Sequence, residues 1–149
     1  MEKLLMHTLW SLAQALAELQ GQPGADALRV GGALGVELKL VKENAHVRFY
    51  ENESPLRLAG GVIAGKLDIR EFKAAGKAPF IIISQLGGTC IGMEELQRRI
   101  GALTPPTPPS NPVPDALITR QGRLGKVRVS LGFRWSDPDC LASITPHID

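Results

Sequence analysis

The segment that comes nearest to a chemical motif is Gly60–Lys66, in which two glycines separated by four residues precede a lysine. A phosphate-binding loop needs backbone N–H groups turned toward phosphate, this lysine, and an adjacent hydroxyl for magnesium. Leu67 stands at the hydroxyl position, and the apolar run 80–83 ends in Ser84 and Gln85 rather than in an aspartate. The pattern favours a turn or a bent strand. A nucleotide-binding enzyme acting through Gly60–Lys66 stays open as an alternative.

Nucleophilic or metal chemistry would depend on two cysteines and three histidines. Cys90 precedes a predicted helix, an environment that can activate a thiol, but a nucleophile also needs a histidine and an orienting acid. The histidines are far apart, and no His-x3-His or Cys-x2-Cys pair occurs. Cys90 and Cys140 are compatible with one bridge, although free, buried thiols are favoured. We therefore predict a non-enzymatic protein with no catalytic residue, metal site or cofactor.

The candidate binding surface is the basic segment 115–135, which carries five cations against the single Asp115. The predicted binding residues are Arg120, Arg123, Lys126, Arg128 and Arg134. Alternation places Lys126, Arg128 and Arg134 on the outer face of one strand, which suits an acidic protein or a nucleic acid. Nucleic acid is not favoured, because Phe133 and Trp135 fall on the opposite, core face. A solvated face, or an edge strand protected by charge, explains the same residues more simply.

The elements that position these residues predict an α+β fold, with a mixed or mostly antiparallel sheet and two main helices packed on it. The run 79–85 lies between a proline and paired glycines and is typical of a strand buried on both faces. Alternating residues predict a hairpin of strands 36–41 and 46–50 and a late strand at 126–135. A shorter strand begins near Leu56, and 116–120 pairs with the late strand across a turn at 121–125.

Periodic leucines predict a helix at 3–20 that packs on the sheet, with a self-associating coiled coil as the less favoured alternative. A second helix is predicted at 92–103, and a short one at 68–75 with Asp68 as its cap. Asp137–Asp139 is predicted to end the last strand and leave an extended tail. The predicted core comprises Leu9, Leu12, Leu16, Leu38, Phe49, Ile81, Ile83, Leu96, Ile100, Val129, Leu131 and Phe133.

Composition indicates one globular domain over residues 1–149, with 44% hydrophobic and 21% charged residues and a net charge of +2. Six of the eleven residues in 104–114 are proline, which predicts an extended linker or arm. A ligand for an SH3-like partner is a less favoured interpretation of this arm. Polar residues interrupt the N-terminal apolar stretch, so a signal peptide is not favoured and a cytoplasmic or virion protein is predicted.

Two segments, APFIIIS at 78–84 and KVRVSLGFRWSDPD at 126–139, follow the predicted leucine-rich helix in this chain. In that order they resemble small phage tail-completion proteins of the tail-terminator type. The resemblance implies a non-enzymatic α+β protein that assembles as a homo-oligomeric ring at the end of a tail tube. It also implies that the partner is a protein or a second copy. A membrane is not predicted as a partner, because no apolar run approaches the roughly 20 residues that span a bilayer. The alternative is a small immunity protein, inhibitor or chaperone that binds one specific partner.

Overall fold

A computed structural model describes residues 7–147 of the chain. Its strands are β1 Leu38–Glu43, β2 Val47–Asn52, β3 Leu56–Arg57, β4 Val62–Phe72, β5 Phe80–Gly88, β6 Leu117–Leu124, β7 Val127–Arg134 and β8 Asp137–His147. They form one sheet in the order β1-β2-β4-β5-β8-β7-β6, with β3 paired to β4. Every neighbouring pair is antiparallel, so the α+β class and the antiparallel sheet are confirmed.

The described residues contain three α-helices: α1 Leu9–Gln20, α2 Ala27–Leu34 and α3 Met93–Ile100. α1 lies over β5 and β8, α2 lies near β1 and β4, and α3 lies beside β6. Buried residues of all three helices join one apolar cluster with the same face of the sheet. Within residues 7–147 the helices therefore cover one sheet face, and no helix covers the other.

α1 confirms the predicted N-terminal helix from Leu9 to Gln20, although it starts two residues later than the first described residue of the prediction, with Thr8 as its cap. The predicted residues 3–6 lie outside the described residues. The Thr8 side chain caps α1 by accepting a hydrogen bond from the backbone N–H of Ser11 at 3.1 Å. α2 was not predicted from the sequence. Asp26 caps its start and Gly35 ends it at φ 69°, but a glycine pair inside eight residues gives it a low helix propensity.

Three local predictions are wrong. Residues 68–75 do not form a helix, because β4 continues to Phe72 with Leu67 and Ile69 fully buried and Asp68 between them only half-buried. The turn predicted at 121–125 is narrower, since β6 runs to Leu124. The predicted C-terminal tail is a buried central strand, β8, which lies between β5 and β7.

The alternation of core-facing side chains is interrupted at the same point in β4 and β5, where Gly65 lies opposite Gln85. Ala64 and Leu67 are both buried although two residues separate them, and Gln85 has φ 52°. A Cβ at Gly65 would lie 2.9 Å from the Gln85 Cβ, so the close approach requires glycine. Asn52 holds the irregular backbone: its Oδ1 accepts from the Leu67 N–H at 2.8 Å, and its Nδ2 donates to the Gly65 carbonyl at 3.2 Å.

The predicted core residues are buried except for Leu38 and Phe49. Leu38 is half-buried and packs against the core. Phe49 was wrongly assigned to it: the residue pairs with Arg70, which alternates with the buried Ile69, so Phe49 lies on the helix-free face. The assignment failed because alternation shows which residues share a face but not which face is covered.

Cys90 and Cys140 form a disulfide, so the prediction of free thiols is wrong and the less favoured alternative of one bridge is correct. Cys90 lies two residues after the end of β5 and Cys140 lies in β8, which pairs with β5 at Ile83 and Ile144. The sheet topology therefore brings together two residues separated by 50 positions in sequence. Sequence spacing alone contained no signal for this contact.

The proline-rich arm, residues 104–114, runs beside the outer edge of β6. Thr107 exchanges backbone hydrogen bonds with Thr119 at 2.8 and 3.0 Å, and the Thr104 N–H donates to the Gln121 carbonyl at 2.9 Å. The prolines cannot donate such bonds, so the pairing is limited to these threonines. The arm is thus partly docked and covers part of one sheet edge.

Candidate functional site

The five predicted binding residues do not share one surface. Arg128 and Arg134 lie on the helix-free face of β7, and Arg123 lies there too because it is directly opposite Arg128. Lys126 lies in the two-residue turn between β6 and β7, contrary to the predicted strand position. Arg120 is opposite the buried Leu131 and therefore lies on the helix side. Three of the five cations thus share a face, with Arg123 in place of Lys126.

These three cations belong to a much wider surface, the helix-free side of the sheet, which we name the open face. On the seven strands β1, β2 and β4–β8, register and alternation place seven cationic side chains there against three carboxylates. The carboxylates are Glu51, Asp68 and Asp137. The cations are Lys39, Lys42, Lys66, Arg70, Arg123, Arg128 and Arg134. The open face is therefore strongly basic although the chain carries only +2 overall.

A row of alternating cations and rings crosses four strands of the open face. Cross-strand register aligns Lys42, Phe49, Arg70 and Phe80 on β1, β2, β4 and β5. The Lys42 Nζ lies 5.5 Å from the centroid of the Phe49 ring, and the Arg70 Cζ lies 5.6 Å from that ring and 5.7 Å from the Phe80 ring. Cation–π attraction holds this order. We name these four residues the cation–ring row.

Burial has electrostatic consequences beside this row. The Arg70 Nε is buried without a hydrogen-bond partner among the described residues. Burial also raises the pKa of the Asp68 carboxyl above its ordinary range, although Arg70 opposes that shift. Lys66 has a partner: its Nζ lies 2.6 Å from Glu51 Oε1, and that hydrogen bond raises the pKa of the ammonium.

Ser130 and His147 form a hydrogen bond on the same side of the sheet, with 2.7 Å between Oγ and Nε2. The β7–β8 register brings them together across 17 positions, so sequence reasoning missed the pair. A hydroxyl beside an imidazole is part of a nucleophile–base arrangement, but catalysis also needs an orienting group and oxyanion donors. The hydrogen bond between these two side chains links β7 to β8.

Gly60–Lys66 does not have the geometry of a phosphate-binding loop. Ala59–Gly61 forms a short 3-10 turn, and Val62 begins β4, so a strand follows the glycine pair where a phosphate-binding loop requires a helix. The Thr89 side chain fixes the turn by donating to the Gly60 carbonyl at 2.7 Å. The predicted turn is confirmed, and Lys66 serves the ion pair with Glu51.

A second surface, the acidic groove, lies on the helix side between α2 and the β1–β2 hairpin. Its volume is about 790 Å³. Leu38 and Tyr50 form an apolar floor, and the carboxylates on its walls are Asp26, Glu37, Glu53 and Glu71.

Only part of this acidity is neutralised internally. Glu71 accepts a hydrogen bond from the Ala27 N–H at 3.3 Å and lies 3.6 Å from Arg48. Glu37 and Glu53 are exposed and make no ion pair within the described residues. Burial, and then the charge of Glu71, raise the pKa of the Tyr50 phenol. The groove therefore presents negative potential above an apolar floor, which suits a cationic segment with an apolar side chain.

Exposed large apolar side chains form two groups at opposite edges of the sheet. At the β1 edge, Leu28 is 86% exposed, and Leu40 and Val41 are 43% and 49% exposed. At the β6 edge are Val113, Leu117 and Trp135, which are 40–47% exposed. Leu28 also lines the acidic groove. Among residues 7–147 these six are the most exposed large hydrophobics.

No protein-family model, curated protein or solved structure matches this chain. The resemblance to tail-terminator proteins therefore stays a prediction. Over the described part of the chain, no helix is long and apolar enough to cross a membrane. Residues 7–147 also contain no group of three or more histidine, cysteine or acidic residues that could hold a metal ion.

Proposed function

We propose that the protein is a non-enzymatic assembly protein whose copies associate head to tail. In this arrangement the β1 edge of one copy, with its acidic groove, contacts the β6 edge of the next. The observation that carries the proposal is the division of the exposed apolar side chains into two groups, one at each edge of the sheet. Each group is small, but two that meet would bury each other.

Charge complementarity supports a second copy as the partner. The groove at the β1 edge carries Glu37 and Glu53, which are unpaired among the described residues. At the other edge, β6 and β7 together carry four arginines, distributed over both faces, and no acidic residue. Arg120 and Arg134 lie on the strands that flank the exposed Leu117 and Trp135. An apolar contact with opposite charges around it gives both affinity and orientation.

Side chains rather than new strand pairing would mediate the contact. β1 carries a bulge between Leu40 and Lys42, and its lysines further disfavour backbone pairing with another strand. The proline-rich arm occupies part of the outer edge of β6. The sheet edges are thus protected against unregulated strand addition, and association depends on the two exposed apolar groups.

Because the contact joins different surfaces of two identical chains, it is heterologous and repeats until it closes as a ring or continues as a filament. A closed ring is the assembly that the resemblance to tail-completion proteins implies. We therefore propose ring formation in a phage or prophage tail as the biological setting.

The test is the mass in solution, by light scattering after gel filtration across protein and salt concentrations. We expect masses above the 16.0 kDa of one chain that rise with protein concentration and fall with added salt. A strict monomer at low salt and high concentration would overturn the proposal. The alternative, an inhibitor or immunity protein, would then be tested by capturing one stoichiometric partner through the groove.

Charge-swapped variants make the test specific. Glu37→Lys with Glu53→Lys reverses the two charges of the groove that are unpaired in the described chain, and Arg120→Glu with Arg134→Glu reverses two cations at the opposite edge. Each double variant should be monomeric alone, and the two should associate when mixed, because each then offers the surface that the other lacks. Arg98→Glu with Arg99→Glu on α3 is the control and should associate as the original chain does.

A further inference from the structure

We propose that the open face binds single-stranded nucleic acid. This function is separate from association through the sheet edges and does not depend on it. The observations are the excess of cations on the open face, the rings set between them in the cation–ring row, and the absence of a helix over this face in residues 7–147.

The charge on the open face suits a polyanion. Seven cations outnumber three carboxylates, and two of those carboxylates have cationic neighbours: Glu51 is paired with Lys66, and Asp68 interacts with Arg70. Lys39 and Lys42 are exposed and form no ion pair within the described residues. Phosphates that contact these side chains release counterions from the nucleic acid, which drives association at moderate salt.

The rings supply what segment 115–135 lacks. The sequence pattern disfavours nucleic acid because it places Phe133 and Trp135 away from the basic strand face. Across the sheet the condition is met by other residues, since Phe49 and Phe80 alternate with Lys42 and Arg70. Binding to single strands combines such cations with rings on which bases stack, and stacking tolerates any base.

The shape of the open face selects a single strand over a duplex. A duplex is read by a helix or a two-stranded ribbon that enters its major groove, and an eight-stranded sheet cannot enter it. Seven strands spaced about 4.8 Å apart make the face roughly 29 Å wide, enough for several nucleotides of an extended chain. The hydroxyl of Ser84 lies on the same face and can donate to a phosphate oxygen.

A patch of acidic protein would use the cations but would gain nothing from rings interleaved with them at cross-strand spacing. It would also have to match seven dispersed charges with a rigid surface. A flexible chain with one charge per nucleotide can adjust to that spacing. The observations therefore favour nucleic acid as the partner of this face.

Fluorescence anisotropy of a labelled oligothymidylate of about 16 nucleotides provides the test. We expect saturable binding that weakens as salt rises, with a slope of about −0.7 per phosphate contacted. Lys39→Ala with Lys42→Ala should weaken binding about tenfold. The matched control, Arg98→Ala with Arg99→Ala, removes two exposed cations outside the open face and should leave the affinity unchanged.

The double variant Phe49→Leu with Phe80→Leu separates the contribution of the rings to the affinity from that of the charges, because it retains apolar volume while removing both rings. A loss of about tenfold at an unchanged salt slope supports base stacking. Circular dichroism and thermal melting confirm that each variant is folded. The groove variant Glu37→Lys with Glu53→Lys should bind the oligonucleotide at least as tightly as the original chain, so the outcome is independent of self-association.

Three results would overturn the proposal. The first is no binding at low salt by the folded chain. The second is an equal loss in the α3 control, which would indicate general charge attraction only. The third is that polyglutamate of matched length competes as well as the oligonucleotide, which would assign the open face to an acidic protein partner.

Discussion

The acidic groove and the open face differ in charge, in construction and in how their side chains are occupied. The groove is built by residues 26–71 around one short helix, and Glu37 and Glu53 on its wall are unpaired in the described chain. The open face spans seven strands, and its central cations are held against rings. The groove therefore has charged side chains without internal partners among residues 7–147, whereas the central side chains of the open face are held by their own cross-strand contacts.

This difference shows that two surfaces on one sheet can depend on different contacts for their stability. The groove depends on how closely α2 approaches β1, a contact near the sheet edge. The open face depends on the seam between β5 and β8, where the two halves of the sheet meet and the disulfide lies. Substitutions can therefore weaken one surface and leave the other in place.

The largest expected effect separates the two surfaces through the disulfide. Cys90→Ser with Cys140→Ser should lower the free energy of unfolding by about 4 kcal/mol, because the bridge closes a loop of 50 residues. Urea unfolding measures the loss. Hydrogen exchange should rise more in β7 and β8 than in α2 and β1; a uniform rise would show that the two surfaces unfold as one unit.

The next effect compares one leucine beneath the open face with one beside the groove. Leu67 is fully buried, so Leu67→Ala should lower the free energy of unfolding by about 3 kcal/mol. Leu28 is 86% exposed, so Leu28→Ala should change it by less than about 0.5 kcal/mol. Light scattering should show the reverse order, with Leu28→Ala weakening self-association. Equal association by the Leu28 variant would remove the groove from the interface.

Two neighbouring glycines of α2 give a smaller effect of opposite sign. A Cβ at Gly31 would lie 2.8 Å from the Val36 carbonyl oxygen and 3.2 Å from Leu38, so Gly31→Ala should displace α2 and lower the free energy of unfolding by about 1–3 kcal/mol. Gly32 has open space, so Gly32→Ala should raise it by about 0.5–1 kcal/mol. Thermal melting measures both. Destabilisation by both would mean that α2 is not held as described.

The smallest effect concerns Asp68 on the open face. Burial raises the pKa of this carboxyl in the folded state, so the folded chain binds the proton more tightly than the unfolded chain does. Asp68 should therefore reduce stability as pH rises above the ordinary carboxyl range near about 3.9. Asp68→Asn should stabilise the protein slightly at pH 7, and the gain should vanish below that range. A gain that is independent of pH would assign the effect to packing.

Part of the fold was predictable because its signals are local. The alternation in 36–41, 46–50 and 126–135, the apolar run before Ser84, and the leucine spacing of α1 each identified an element correctly. β4 was partly misassigned because Asp68 and Gly76 resemble the ends of a helix. β8 was missed because its polar start resembles a turn, and its burial is decided by two neighbouring strands that sequence periodicity does not reveal.

The candidate surfaces were less predictable than the elements. The cations of 115–135 were identified, but only three of them share a face with one another, since Arg120 alternates to the helix side and Lys126 lies in the turn. The cation–ring row takes one residue from each of four strands, so it exists only once the register is known. The groove requires α2, which its glycine pair concealed.

The position of the proline-rich arm between the two bridged cysteines affects how the chain would respond to proteolysis. Residues 104–114 lie inside the segment closed by Cys90 and Cys140, and most of them are exposed. A single cut there would leave two polypeptides that remain covalently joined. A nicked sample should therefore migrate as one species on a non-reducing gel and as two on a reducing gel. Because both pieces also contribute strands to the β5–β8 seam, the nicked protein should retain its native circular dichroism until the thiols are reduced.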